Sequence, residues 1–146
     1  MRLPGSVLFA CNHNAIRSPM AAALLRHLHG RRIFVDSVGV RASAIDPFAV
    51  AVMEEFGVDL RQHAAKSFDE LEDLSFDLVI SLTPEAQHRA VELTRSMACD
   101  VEFWPSFDPS AVEGSRGEIL AAYRGVRDSL WRRVQQRFPP VPQGQV

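Results

Sequence analysis

The sequence predicts an α/β fold of three layers, in which helices cover both faces of a four-stranded parallel sheet. Short apolar runs alternate along the chain with longer segments of helical periodicity, a pattern typical of parallel strands joined by crossover helices. The 146 residues suffice for one compact domain with its own core. We expect a single domain over residues 1–138 and a flexible tail over residues 139–146, where prolines exclude a helix.

Each predicted strand is a short apolar run bounded by polar or turn-forming residues. The predicted strands cover residues 6–10, 33–37, 77–82 and 100–104, and the predicted helices cover residues 19–29, 47–56, 84–96 and 117–138, with a weaker helix over 68–74. Pro19, Pro47 and Pro84 open three of the helices, at the position where a missing amide costs little. The last helix repeats apolar residues at three- and four-residue spacing, which predicts a core stripe of Ile119, Leu120, Tyr123, Val126, Leu130 and Val134.

Composition and charge exclude several classes of protein. The formal net charge is −2 and no basic run stands out, so the chain lacks the positive field that a nucleic-acid surface needs. No apolar stretch approaches the roughly 18 residues of a membrane span, and no signal-peptide pattern opens the chain. The two cysteines, Cys11 and Cys99, are too few for a disulfide framework and lack zinc-ligand spacing. These features predict a cytoplasmic protein that uses no metal.

The segment of residues 11–18, hereafter the Cys11 loop, lies between the first predicted strand and the first predicted helix. Right-handed crossovers place such a loop at the edge where open α/β sheets bind ligands. We expect Ser18 to cap the helix and Pro19 to be its first residue. The amides of the loop and of the first helical turn then lack intrahelical acceptors, and such a cluster of donors favours a bound oxyanion.

Two side chains at the ends of the Cys11 loop add chemistry to this anion site. Amide donors and the positive end of the helix stabilise a thiolate at Cys11. The planar guanidinium of Arg17 can pair with two phosphoryl oxygens and hold a transition state. A nucleophile, an amide cradle and a bidentate cation are what attack on phosphorus needs. The alternative interpretation is a buried cysteine on a tight turn next to a solvated arginine.

This pattern resembles the low-molecular-weight protein tyrosine phosphatase family, whose phosphate loop reads Cys-x-x-Asn-x-x-Arg-Ser-Pro. The resemblance covers nearly the whole chain. Its matching residues and segments are Cys11, Asn14, Arg17, Ser18, Pro19, residues 36–39 (Asp-Ser-Val-Gly), Asp46-Pro47, residues 63–66, residues 76–82 and Asp108-Pro109. The family implies a four-stranded parallel sheet with flanking helices and no metal or organic cofactor.

The resemblance also implies a role for individual residues. Cys11 is the nucleophile, Arg17 holds the transition state, and Asp108 is first the general acid and then the general base. Asn14 and Ser37 support the loop, and the hydroxyl of Ser18 helps the thiolate to leave. The implied phosphate-binding residues are Asn12, His13, Asn14, Ala15, Ile16, Arg17 and Ser18. The implied substrate is a phosphorylated protein or a small phosphoester, with phosphate, vanadate or arsenate as inhibitors.

Several positions depart from the family pattern. His13 stands where many members have glycine, and Ile16 replaces a cysteine that can pair with the nucleophile in some members. Ser110-Ala111 occupy the place of tyrosines in tyrosine-specific members, which leaves the preference for aryl substrates open.

Other residues have structural interpretations. We expect Asp46 to cap a helix, Cys99 to lie in the core, and His13 to face solvent. Trp104, Phe107 and Phe48 are candidate walls of a substrate cleft, and Trp104 fits the core equally well.

Two alternative functions remain at this point. An arsenate reductase of the same fold shares the loop, but a thioredoxin-coupled relay needs two further cysteines after the third strand, where residues 82–88 contain none. A reductase that uses Cys11 with an external thiol is compatible with the cysteine count. The other alternative is a non-catalytic oxyanion-binding module, which the presence of both Cys11 and Asp108 disfavours.

Overall fold

The computed structural model describes residues 3–72 and 75–140 and consists of four strands and four α-helices that alternate along the chain. The elements are β1 Ser6–Cys11, α1 Arg17–His29, β2 Phe34–Gly39, α2 Pro47–Glu54, β3 Leu78–Ser81, α3 Pro84–Leu93, β4 Asp100–Phe103 and α4 Arg116–Arg137. Single 3₁₀ turns lie at Gly30–Arg32, Phe68–Glu70 and Pro109–Ala111. The predicted three-layer α/β fold is confirmed.

All strand pairs are parallel, and the strand order is β2-β1-β3-β4. β2 lies on one side of β1, and β3, the next strand along the chain, lies on the other side. This reversal creates a crevice at the carboxyl ends of β1 and β3, which is where open α/β sheets bind ligands. The Cys11 loop, which follows β1, therefore lies at this edge of the sheet.

The sheet separates two hydrophobic cores because successive side chains of a strand point to opposite faces. Val7, Phe9 and Cys11 of β1 belong to the larger core beneath α1, α2 and α4, whereas Leu8 and Ala10 face the smaller core beneath α3. On α4 the predicted stripe faces the larger core, with Tyr123, Val126, Leu130 and Val134 buried and Ile119 and Leu120 partly buried. Alternation along β1 thus places the Cys11 side chain on the α1 side.

The start of α1 differs from the prediction. The helix begins at Arg17, its cap position is Ile16, and no side chain bonds the free amides there. Ser18 is therefore not the helix cap, because its hydroxyl contacts the Cys11 sulfur and the Val38 carbonyl instead. Pro19 becomes the third helical residue, which is tolerated because the first turn has no intrahelical acceptors for its amides.

The weaker helix predicted over residues 68–74 is reduced to one 3₁₀ turn, Phe68–Glu70, with Ser67 and Glu70 forming a capping box. Its last predicted residues, 73 and 74, lie outside the described residues. The same holds for residues 141–146 of the predicted tail. Among residues 3–72 and 75–140, no helix is both long and apolar enough for a bilayer, and no three His, Cys, Asp or Glu side chains cluster as metal ligands.

Candidate active site

The carbonyls of the Cys11 loop are hydrogen-bonded to a neighbouring segment, whereas its amides are left free. The segment of residues 40–46 runs beside the loop, and its amides donate to the carbonyls of Cys11, Asn12, His13 and Ala15 at 2.8–3.0 Å. Within the described part of the chain, the amides of residues 12–18 donate to no protein acceptor. Several amides on a tight loop before a helix N-terminus form an anion-binding concavity.

Gly39 allows this loop to lie directly against the end of β2. A β-carbon at this position would lie 2.7 Å from the amide nitrogen of Asn14 and 2.8 Å from the carbonyl carbon of His13. It would also lie 2.2 Å from the carbonyl oxygen of Arg41, which is shorter than any real contact of this kind. Only glycine therefore permits the observed packing of the loop on β2.

Asn14 holds the middle of the loop in a left-handed backbone conformation, with φ of 54°, which asparagine adopts more readily than most residues. Its side chain is fully buried and every polar atom is used. The Nδ2 atom donates to the hydroxyls of Ser18 and Ser37, both at 2.9 Å. The Oδ1 atom accepts from the amide of Lys66 at 3.0 Å. Asn14 thus connects the loop to α1 through Ser18, to β2 through Ser37, and to the segment after α2 through Lys66.

His63 adds a support that sequence reasoning missed. Its Nε2 lies 3.0 Å from the carbonyl oxygen and 3.1 Å from Oδ1 of Asn14. Both partners accept, so Nε2 carries the proton and donates. Burial lowers the pKa of His63, and the positive charge of Arg26 lowers it further. The only signal in the sequence was the family match over residues 63–66, which assigned no role to this histidine.

Ser18 connects this network to the candidate nucleophile. Its Oγ lies 2.9 Å from the Cys11 sulfur and 3.2 Å from the Val38 carbonyl oxygen, and all three residues are buried. Because Asn14 donates to Ser18, the single hydroxyl proton of Ser18 is left for either the sulfur or the carbonyl. The hydroxyl can therefore donate to a thiolate and turn to the carbonyl when the sulfur is protonated.

Arg17 begins α1 and is buried, with a residue exposure of 8%. Its Nη1 donates to the carbonyl of Ser106 at 3.0 Å. Among the residues that the structure describes, no carboxylate lies within ion-pair distance of this guanidinium. Because the bond to Ser106 fixes only one edge, the remaining donors are free to pair with an anion in the cleft, which Arg17 helps to line.

Asp108 reaches the same cleft from the loop after β4. Its Oδ1 accepts from the amide and from the hydroxyl of Ser110, at 3.0 and 2.6 Å. Burial, the largest single influence, raises the pKa of Asp108. The two bonds from Ser110 and the positive charges of Arg17 and His13 outweigh it, so the pKa lies below its ordinary value. Asp108 is therefore a carboxylate in the free protein at neutral pH.

The cleft that joins these groups has a volume of about 540 Å³. Its lining residues are Cys11, His13, Ala15, Ile16, Arg17, Ser43, Ala44, Ile45, Asp46, Pro47, Asp108 and Ser110. The structure thus brings the proposed nucleophile, transition-state cation and acid together in one cleft. Of the other predicted phosphate-binding residues, Asn12 faces away, because its Oδ1 accepts from the hydroxyl of Thr83 at 2.6 Å.

None of the three aromatic residues considered as cleft walls lines this cleft. Trp104 is buried in the larger core, where its ring packs against Phe9. Phe107 is 62% exposed and borders a separate groove of about 190 Å³ beside α4. Phe48 packs against the ring of Tyr123. The expected cap at Asp46 is present, since its carboxylate accepts from the amides of Phe48 and Ala49.

The second cysteine lies far from the first. Asp100 and Val7 both pair with Leu78, so Cys99 is level with the start of β1 while Cys11 is at its end. Five residues along a strand and two strand spacings separate them by about 15 Å or more, whereas bridged cysteines need α-carbons within about 7 Å. Cys99 packs at the edge of the smaller core, and burial raises the pKa of its thiol. His13, as expected, is exposed.

Comparison with known proteins supports the same family as the site geometry. The family model described as low molecular weight phosphotyrosine protein phosphatase matches residues 6–138. A curated relative, the arsenate reductase of Halalkalibacterium halodurans, is 31% identical over 129 residues, which cover 88% of this chain and 91% of the relative.

Two solved structures of this fold differ in activity. An arsenate reductase in its phosphate-binding state has a TM-score of 0.69 and 29% identity, covering 90% of this chain and 94% of that one. The arginine phosphatase YwlE, solved as a cysteine-to-serine mutant with a phosphorylated active-site serine, has a TM-score of 0.72 and 26% identity, covering 90% and 91%. The fold and its phosphate-binding capacity are thus shared by proteins of different chemistry.

Proposed function

The chain belongs to the low molecular weight phosphotyrosine protein phosphatase family, and we propose that it hydrolyses phosphomonoesters through a phosphocysteine at Cys11. The observation that carries this proposal is the meeting of Cys11, Arg17 and Asp108 in one cleft above a ring of free amides. These groups supply a nucleophile, a clamp for the equatorial oxygens and a proton donor for the leaving group.

In the first step, the Cys11 thiolate attacks phosphorus while the bond between phosphorus and the leaving oxygen breaks. The loop amides and Arg17 hold the three equatorial oxygens through charge-assisted hydrogen bonds. Asp108 donates a proton to the leaving oxygen. Although Asp108 is ionised in the free protein, a phosphoryl dianion bound beside it raises its pKa by like-charge repulsion, which favours the protonated form that the step requires.

In the second step, Asp108 removes a proton from a water molecule that attacks the phosphocysteine. The bond between sulfur and phosphorus breaks, inorganic phosphate forms, and the electron pair returns to the Cys11 sulfur. The Ser18 hydroxyl, 2.9 Å from that sulfur, can donate a hydrogen bond to the emerging thiolate by turning away from the Val38 carbonyl. The phosphorylated serine in the YwlE cysteine mutant supports a phosphoryl intermediate at this position.

Arsenate reduction is the second candidate, because the curated relative from Halalkalibacterium halodurans is an arsenate reductase. In that reaction Cys11 would attack arsenate, and a thiol would then attack the cysteine sulfur and leave two electrons on arsenic. Cys99 cannot be that thiol, because it lies at the opposite end of the sheet. The reductant would therefore have to be an external thiol, which makes the hydrolytic function the simpler use of this site.

Side-by-side assays of purified protein test these functions. We expect an aryl phosphate to be hydrolysed without added metal and in the presence of a chelator, with Cys11→Ser inactive and Cys99→Ser, the matched control, fully active. Phosphate binding without turnover would instead indicate an oxyanion-binding module. Thiol-dependent arsenate reduction that exceeds aryl-phosphate hydrolysis would favour the reductase.

A leaving-group series tests the role of Asp108. We expect Asp108→Ala to slow hydrolysis of a phosphate ester with a poor leaving group far more than one with a good leaving group, because only the poor one needs protonation. Asp69→Ala, a control whose side chain is 84% exposed and lies outside the cleft lining, should affect neither. Equal losses for both esters would remove Asp108 from the role of general acid.

A further inference from the structure

The cleft beyond the Cys11 loop has an unusual lining for a site that receives an aryl group. Its described lining contains no Phe, Tyr or Trp side chain, and its apolar part is aliphatic. It does contain two carboxylates, those of Asp46 and Asp108. The one guanidinium in the lining is that of Arg17, which the proposed function assigns to the phosphoryl group. Apart from Cys11 and Arg17, the ionisable groups of the described lining are these two carboxylates and the imidazole of His13, so acidic groups are in excess in the part of the cleft left for the rest of the substrate.

Of the two carboxylates, Asp46 is the one to which the proposed mechanism assigns no catalytic role. Its Oδ1 accepts from the amides of Phe48 and Ala49 at 2.7 and 3.4 Å, and its Oδ2 accepts from the Tyr123 hydroxyl at 2.9 Å. All three partners are neutral donors, so they fix the orientation of the carboxylate without placing an opposite charge beside it. The side chain is thus fixed in orientation on the wall of the cleft.

The hydrogen bond from Tyr123 holds this carboxylate in place over a wide range of pH. The Tyr123 side chain is buried, and its ring packs against that of Phe48 with an angle of 41° between the ring planes. Burial raises the pKa of Tyr123, and the bond to Asp46 raises it further, so the hydroxyl remains protonated and continues to donate over the range in which the protein is assayed. Arg116 lies over the Phe48 ring, 5.4 Å from its centroid, and is not among the lining residues of the cleft.

We propose that Asp46 is a specificity-determining residue, which favours phosphorylated substrates that carry a positive charge next to the group bearing the phosphate. This inference rests on the proposed hydrolytic function and names the substrate class for the same cleft. A cation on the substrate gains the attraction of a fixed, partly desolvated carboxylate, whereas an acidic or neutral substrate does not. Asp108 contributes less to this selection, because it is protonated when the substrate is bound and donates that proton to the leaving oxygen in the first step.

Two aryl phosphates of nearly equal shape test the proposal. 4-(Trimethylammoniomethyl)phenyl phosphate carries a permanent positive charge, and 4-neopentylphenyl phosphate is its neutral counterpart. We measure kcat/KM for both with the unaltered protein, with Asp46→Asn and with the remote control Asp69→Asn. The substitution of Asp46 keeps a side-chain oxygen for the helix cap while removing the charge. Using the ratio of the two substrates cancels any general loss of activity.

We expect Asp46→Asn to lower the cation-to-neutral ratio of kcat/KM about fivefold, the effect of one unit charge at about 10 Å in a half-solvated site. Asp69→Asn should leave the ratio unchanged. In the unaltered protein the same ratio should fall as ionic strength rises from about 20 mM to about 500 mM. This second measurement needs no variant, so it tests whether the preference is electrostatic even if the substitution destabilises α2.

Two results would overturn the inference, and they differ in what they say about the proposed function. Hydrolysis of both esters, with a ratio that neither salt nor Asp46→Asn changes, would refute the role of Asp46 and leave the phosphatase function standing. Absence of hydrolysis of either ester would refute the phosphatase function, and the inference that rests on it would fall too.

Discussion

Gly39 offers a sharp test of how the Cys11 loop is held in place. In Gly39→Ala the new methyl group would lie 2.2 Å from the Arg41 carbonyl oxygen and 2.7 Å from the Asn14 amide nitrogen. Ordinary contact requires 3.4 Å or more, so backbone atoms on both sides must move by about 1 Å. These atoms belong to segments that are bonded to each other, since the amides of residues 40–43 donate to the loop carbonyls.

The expected cost follows from these contacts. Overpacking of a tight site costs about 1–3 kcal/mol, and weakening two or so backbone hydrogen bonds adds about 1 kcal/mol each. We therefore expect Gly39→Ala to lower the free energy of unfolding by about 3–5 kcal/mol. A displacement of about 1 Å in the groups that hold the substrate should also lower kcat/KM for an aryl phosphate by about 100-fold.

Gly125→Ala is the matched control, because a β-carbon at Gly125 in α4 would meet nothing within 4 Å. There the same substitution should stabilise the helix by about 0.5–1 kcal/mol and leave activity unchanged. Urea unfolding and steady-state kinetics on both variants provide the measurements. If Gly39→Ala were as stable and active as the unaltered protein, the close packing of the loop on β2 would be wrong.

Three further predictions follow from other parts of the structure. Ser18→Ala should slow the second step of phosphate-ester hydrolysis about 100-fold and make a burst of leaving group visible. Equal slowing of both steps would contradict a hydrogen bond from the Ser18 hydroxyl to the departing sulfur. Iodoacetate at about pH 6 should alkylate Cys11 faster than Cys99, whose pKa burial raises, and phosphate should protect Cys11; equal rates would contradict thiolate stabilisation. The hydrogen bond from Arg124 is the main cause that lowers the pKa of Glu55 from 4.5 to about 2, so Glu55 stabilises the fold above pH 4.5 and this contribution is lost as the pH falls toward 2. Glu55→Gln should therefore lower the free energy of unfolding, measured with urea near neutral pH, by about 1 kcal/mol. This value is reduced for solvent screening, because the Glu55 side chain is 39% exposed. A destabilisation that does not change with pH would refute the prediction.

The sequence alone determined the features that depend on near neighbours in the chain. Apolar runs, prolines at helix starts and three- to four-residue spacing are local signals, and they predicted the order of strands and helices and the stripe on α4. The Cys11 loop was also readable, because strand, nucleophile, arginine and helix start lie within fourteen consecutive residues, 6–19. The cap at Asp46 was correct for the same reason, since its partners are two and three residues away.

Only the tertiary structure decided what depends on contacts between distant segments. Ser18 appeared to be a helix cap by local rules, but the approach of Val38 and the buried sulfur turned its hydroxyl inward and moved the start of the helix to Arg17. The separation of Cys99 from Cys11 likewise followed from strand order, which no local pattern encodes.

The support of Asn14 by His63 and the anchoring of Asp46 by Tyr123 join residues 49 and 77 positions apart. The physical reason is that a side chain's local preferences are worth only about 1 kcal/mol. Burial and hydrogen bonding between segments that folding brings together outweigh them.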